Sequence, residues 1–121
     1  MALIKKFEDI IAWKEARKLV SNIYRLTNAG ALVKDYGMRD QLQRAAVSAM
    51  TNIAEGFDCE SKVDFARFLG IARRSAVEVQ SLLYAALNAG YVNEDVFKAE
   101  YQQAEKTKAL IGGLKKSLKP H

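Results

Sequence analysis

Between Phe65 and Ala86 the residues Phe65, Leu69, Ala72, Ala76, Val79, Leu83 and Ala86 alternate steps of four and three without a break. That spacing is the seam of a left-handed helical bundle, and it commits the chain to burying one long helix against others. No stretch shows sustained period-two alternation rich in β-branched residues, so no strand is expected. Helical periodicity also runs through three further segments. The helices are expected at about 9–28, 36–57, 62–89 and 94–117 in a single domain of 121 residues. Short connections between them make neighbours antiparallel, which gives an all-α, up-down four-helix bundle.

The first segment carries Trp13, Ala16, Val20, Ile23 and Thr27 on one face, and the second carries Leu42, Ala46, Ala49, Ile53 and Phe57. Small side chains in the second, Ala45 and Ser48 among them, let a neighbouring helix come close. Ser61-Lys62-Val63-Asp64 reads as a capping box opening the third. Asn28-Ala29-Gly30 and Asn88-Ala89-Gly90-Tyr91 read as helix stops, with Tyr91 placed for the apolar contact that follows a glycine cap. Asn93, Glu94 and Asp95 suit the start of the fourth, whose stripe is Phe97, Tyr101, Ala104, Ile111 and Leu114. Gly112-Gly113 predicts fraying towards Lys115–Lys119, with Pro120 and His121 disordered.

Half of the residues are hydrophobic, yet charged or polar residues break every apolar stretch well short of the roughly 20 residues of a membrane span. No membrane partner is expected. The opening residues lack the apolar core of a signal peptide, and one cysteine, Cys59, suits a reducing compartment, so a cytoplasmic location is expected. Helix three carries a second stripe, Phe68, Ile71, Ser75 and Leu82, beside its seam. A helix apolar on two sides has to bury both, which predicts self-association.

The net charge of +5 favours polyanionic partners. Lys14, Arg17, Lys18 and Arg25 on helix one, and Arg67, Arg73 and Arg74 on helix three, form basic rows suited to the phosphates of RNA or DNA. Glu15, Asp64 and Glu78 dilute those rows, so solvated helix faces are the plainer reading. Asn52 and Glu55 share a face, and Arg67 or Arg74 could join them in a charge-assisted network. Such a network would bind a polar group or, the preferred reading, clamp helices or subunits in register, with Gly56 permitting tight packing or ending the helix.

Ala45-Ala46-Val47-Ser48-Ala49-Met50-Thr51-Asn52-Ile53-Ala54-Glu55-Gly56 resembles the hallmark of the 23S rRNA intervening-sequence proteins. The likeness continues through Phe7-Glu8-Asp9 with Trp13, Tyr36-Gly37 with Gln41-Leu42, Phe65–Leu69 with Ile71, Ala72 and Ser75, and Gly90-Tyr91. Such proteins often carry proline before Asn-Ile-Ala-Glu-Gly; its absence here predicts a straighter second helix. The resemblance implies a four-helix bundle, often assembled as a homopentameric ring, with no established enzymatic activity. A related branch, the accessory proteins of diversity-generating retroelements, implies a link to nucleic acid and a reverse transcriptase.

Catalysis finds little footing, since the single histidine is the terminal His121 and no Glu-x-x-His pair is present for a bundle-core metal. Cys59 has no histidine near it in sequence, and no phosphate-cradling glycine motif occurs. The expectation is a non-enzymatic, homo-oligomeric binding or scaffold protein without cofactor or metal, contacting RNA or DNA through basic helix faces. The alternative is a module that binds another protein and no nucleic acid.

Overall fold

The computed structural model describes residues 3–119, so the tail expected at Pro120 and His121 lies outside the described residues. Four helices account for most of it: α1 (Ile11–Thr27), α2 (Tyr36–Asp58), α3 (Lys62–Asn88) and α4 (Glu94–Ser117). Among the described residues there is no strand, and no helix is long and apolar enough to cross a membrane. Each helix packs against two others, in the cyclic order α1, α2, α3, α4. Cross-contacts fix the directions. Ser48 meets Ser75 and Gly56 meets Phe68 across α2 and α3, while Tyr84 meets Phe97 and Arg73 meets Gly112 across α3 and α4. Both pairs of helices are therefore antiparallel.

The core has two lobes. Leu19, Ile23, Leu42, Val79, Leu83 and Phe97 fill one end, where the connections from α1 to α2 and from α3 to α4 lie. Ile10, Ile53, Leu69, Ala72 and Ile111 fill the other. The α3 seam is buried from Leu69 to Ala86, as its period requires, and Phe65 at its start is half-buried. On α1 the buried face is Ala12, Ala16, Leu19, Ile23 and Thr27, with Trp13 and Val20 only half-buried at its edge. That helix begins at Ile11 rather than Asp9, because Phe7–Asp9 form a separate 3-10 turn whose Phe7 ring stands edge-on to Trp13 at 5.1 Å. A second 3-10 turn, Gly30–Val33, occupies the first connection and buries Leu32.

The caps follow from the sequence chemistry. Asp35, Ser61 and Asn93 each accept a backbone N–H three residues on, at 3.1, 3.1 and 2.8 Å. Asp64 makes an ion pair with Arg67 at 3.9 Å. α3 ends in a Schellman turn: Tyr91 N–H donates to Ala86 O at 2.9 Å and Gly90 N–H to Leu87 O at 3.0 Å, with Gly90 at φ +77°. The Tyr91 hydroxyl then donates to Asp35 Oδ2 at 2.9 Å, tying that turn to the start of α2. α2 is continuous over 23 residues. α4 stays helical to Ser117 despite its two glycines.

The second stripe of α3 corrects one expectation. Ser75 is buried, Phe68, Ile71 and Leu82 are half-buried, and none of the four is exposed. Within the same chain Ser75 bonds to Ser48, Phe68 lies against Gly56, and Leu82 packs on the core. A second copy is not required to cover this flank. Phe68 and Ser75 lie where α2 comes close to α3, and a Cβ on Gly56 would fall 2.7 Å from Phe68 Cβ and 2.9 Å from Phe65 Cδ1. Gly56→Ala is expected to cost about 1–3 kcal/mol through overpacking, although alanine is the better helix former by about 1 kcal/mol. Gly113→Ala, with nothing within 4 Å of the new atom, should instead stabilise by up to about 1 kcal/mol. The urea midpoints of the two variants should move in opposite directions.

Candidate nucleic-acid interface

The hallmark residues of α2 do form a polar network, but not the charged one expected. Asn52 Nδ2 donates to Ser48 O and Oγ at 2.9 and 3.0 Å, Ser48 and Ser75 share a bond of 2.8 Å, and Ser75 Oγ donates to Ile71 O at 3.0 Å. Since the single hydroxyl hydrogen of Ser75 goes to Ile71, Ser48 is the donor between the serines. The result is a directed chain from α2 to α3. Glu55 takes no part: its side chain is exposed and has no ion-pair partner among the described residues. Arg67 turns to Asp64 and to the Phe68 ring, 4.6 Å from its centroid. The Ser48–Ser75 bond is the link of this chain that joins the two helices, and neither arginine completes a clamp with Glu55.

The basic row of α1 is exposed but partly neutralised. Lys14, Arg17, Lys18 and Arg25 all face solvent, with Arg17 5.8 Å from the Trp13 ring centroid. In their midst stands Glu15, largely shielded by its own neighbours, at 3.8 Å from Lys18 and 3.5 Å from Lys106. Gln103 Nε2 donates to its carboxylate at 2.9 Å and to its backbone carbonyl at 3.1 Å. The Gln103 bond, with the two lysines, holds the Glu15 carboxyl below the usual range against the opposing effect of burial.

A different cationic cluster forms where α3 crosses α4. A Cβ on Gly70 would lie 3.3 Å from Lys115 Nζ and 3.7 Å from an Arg74 guanidinium nitrogen, so both heads lie over that glycine. Reciprocally, Arg73 Nε lies 3.6 Å from where a Gly112 Cβ would be. Each helix offers a bare stretch of backbone over which a long cationic side chain of the other is laid. Arg73, Lys115, Lys116 and Lys119, with Gly112, line a surface recess of about 310 Å³. None of these four, nor Arg74, lies within 4 Å of a carboxylate among the described residues.

The structure thus brings Arg73 and Arg74 together with Lys115, Lys116 and Lys119, and leaves Lys14, Arg17, Lys18, Arg25 and Arg67 outside the cluster. The three lysines were missed because Gly112-Gly113 pointed to fraying. Their signal was present: positions 112, 115, 116 and 119 share one helical face, as do 70, 73 and 74. Among the described residues no group of His, Cys, Asp and Glu is disposed to hold a metal ion.

The family profile described as 23S rRNA-intervening sequence protein matches residues 8–113. The chain belongs to this family. Among solved structures, it is similar to a crystal structure from Bacteroides thetaiotaomicron described as a protein with unknown function from the S23 ribosomal protein family. The two share 21% identity over 88% of this chain and 99% of the other, with a TM-score of 0.80, a likeness that bears on the fold alone. No curated protein matches the chain.

Because Glu15 is held ionised, its contribution to stability is complete above the ordinary carboxylate range. It is lost as pH falls through the lowered folded-state value. The deficit of Glu15→Gln against the parent chain should therefore be present at about pH 6 and shrink towards about pH 3 in urea titrations. An unchanged deficit at both pH values would mean that the contact acts through packing alone.

Proposed function

We propose that this family member is a non-enzymatic binding protein that holds the phosphate backbone of RNA or DNA against the cations assembled by α3 and α4. The observation that carries the reading is the set of Arg73, Arg74, Lys115, Lys116 and Lys119 with no carboxylate within 4 Å among the described residues. Placing this many like charges together with no carboxylate within 4 Å among the described residues is unfavourable for the isolated fold, and a polyanion relieves it. On α1, by contrast, Glu15 offsets the row locally. A catalytic role gains no support from Glu15, which is kept charged where a general acid would have to hold its proton near neutral pH.

In this reading the protein works in the cytoplasm with Cys59 as a free thiol and as a homo-oligomer. The five-membered ring follows from the family resemblance, and it would repeat the basic face in each copy so that a modest affinity becomes avidity. Exposed apolar groups available for contact between copies include Ile11, Tyr36, Val77 and Tyr84.

Binding of labelled single-stranded and duplex oligonucleotides, followed by anisotropy across a salt series, should weaken linearly in log–log form. Combined Arg73→Gln, Lys115→Gln and Lys116→Gln substitution should flatten the duplex slope by roughly 0.9 for each phosphate that is no longer neutralised. Lys14→Gln with Lys18→Gln should change it little. Light scattering on the same preparation should return a multiple of 13.5 kDa. Absence of binding at low salt, or equal slopes for all variants, would overturn the reading.

A further inference from the structure

The end of the bundle beyond the cation cluster carries a second, chemically different feature. The first turns of α3 and the last residues of α4 enclose a groove of about 550 Å³, within the range of roughly 300–1,000 Å³ typical of sites that hold ligands. Val63, Ala66 and Leu118 give it an apolar lining, and Lys62, Lys115 and Lys119 with Ser117 a polar, basic one. Val63 is 79% exposed although it sits in the first turn of a helix capped by Ser61. The nearby acid Asp64 pairs with Arg67 and does not line the groove.

We propose that this groove docks an acidic amphipathic helix of another protein. The apolar lining would take aliphatic side chains spaced one helical turn apart, and the three lysines would face acidic residues flanking them. Three alternatives fit less well. A nucleic acid would have phosphates for the lysines, but no aromatic ring lines the groove to stack its bases. A membrane surface meets a broad apolar face, and here Val63 is the one exposed apolar residue of the groove, with Ala66 and Leu118 half-buried beside it. A second copy of this chain carries a net charge of +5 and would bring like charge to these lysines. The groove shares Lys115 and Lys119 with the phosphate-binding face, so an acidic helix and a nucleic acid would compete for these lysines.

The test is selection from a phage library of helical peptides with randomised surface positions, panned against the full chain. Recovered peptides are expected to carry aliphatic residues at i, i+4 and i+7 with flanking Asp or Glu. A synthesised winner should lose at least about tenfold in affinity to Val63→Asp, a change of about 1.4 kcal/mol or more, and likewise when its acids are replaced by lysine. Val63→Asp places an acid in the first turn of α3, where the helix dipole favours it, so its thermal melt should match the parent's. Val63→Ser, which adds no charge beside Lys115 and Lys119, should weaken binding of the winner while oligonucleotide affinity stays within twofold, which separates this proposal from the one above. Recovery of basic peptides, or winners indifferent to Val63→Asp, would overturn the proposal. A fall in particle mass on that substitution would overturn it too, by naming a second copy as the occupant.

Discussion

The closeness of α2 to α3 sets the rest of the bundle. Where Gly56 meets Phe65 and Phe68 there is no room for a methyl group, and further along the pair Ser48 and Ser75 are near enough to share a hydrogen bond. Aliphatic side chains at either place would hold the helices apart and leave the α3 seam unable to reach the core. The bond between Ser48 and Ser75 adds register to this proximity: a slip of one residue on either helix would break it, a loss of roughly 1 kcal/mol, while the bonds of Asn52 to Ser48 and of Ser75 to Ile71 stay within their own helices.

With α2 drawn to one side of α3, α4 packs on another, and the terms of that contact are different. Gly70 and Gly112 do not serve close backbone approach there; they make space that Lys115, Arg74 and Arg73 cross. Long cationic side chains can lay their aliphatic stems on such a surface while their heads remain in water. The cations are thereby held side by side on rigid helices, whereas those of α1 are spread around an acid. Tyr91 contributes at the far end of the molecule, where its hydroxyl joins the turn before α4 to the Asp35 cap of α2 and fixes how the helix pairs meet.

Much of the fold was legible because a seven-residue pattern of burial and the chemistry of helix ends are local properties. The α3 seam, the Ser61 and Asn93 caps and the Gly90-Tyr91 turn all stand where the sequence puts them. Other features were not legible. The stripe through Phe68, Ile71, Ser75 and Leu82 reads as a surplus apolar face only if α2 keeps an ordinary distance. Periodicity marks which residues are apolar, but how closely a helix follows Gly56 depends on its partner. The Glu55 network failed for a related reason: sharing a helical face does not decide whether a side chain turns towards the neighbouring helix or the solvent. The lysines of α4 were hidden by treating Gly112-Gly113 through intrinsic propensity, when packing against α3 holds that turn helical.

Whether the α3–α4 crossing is the polyanion face can be read directly from backbone amide shifts of the labelled protein titrated with a short oligonucleotide at low salt. The account predicts that the largest changes fall on Gly70, Arg73, Arg74, Gly112 and Lys116. Changes concentrated between Lys14 and Arg25, with the crossing silent, would contradict it.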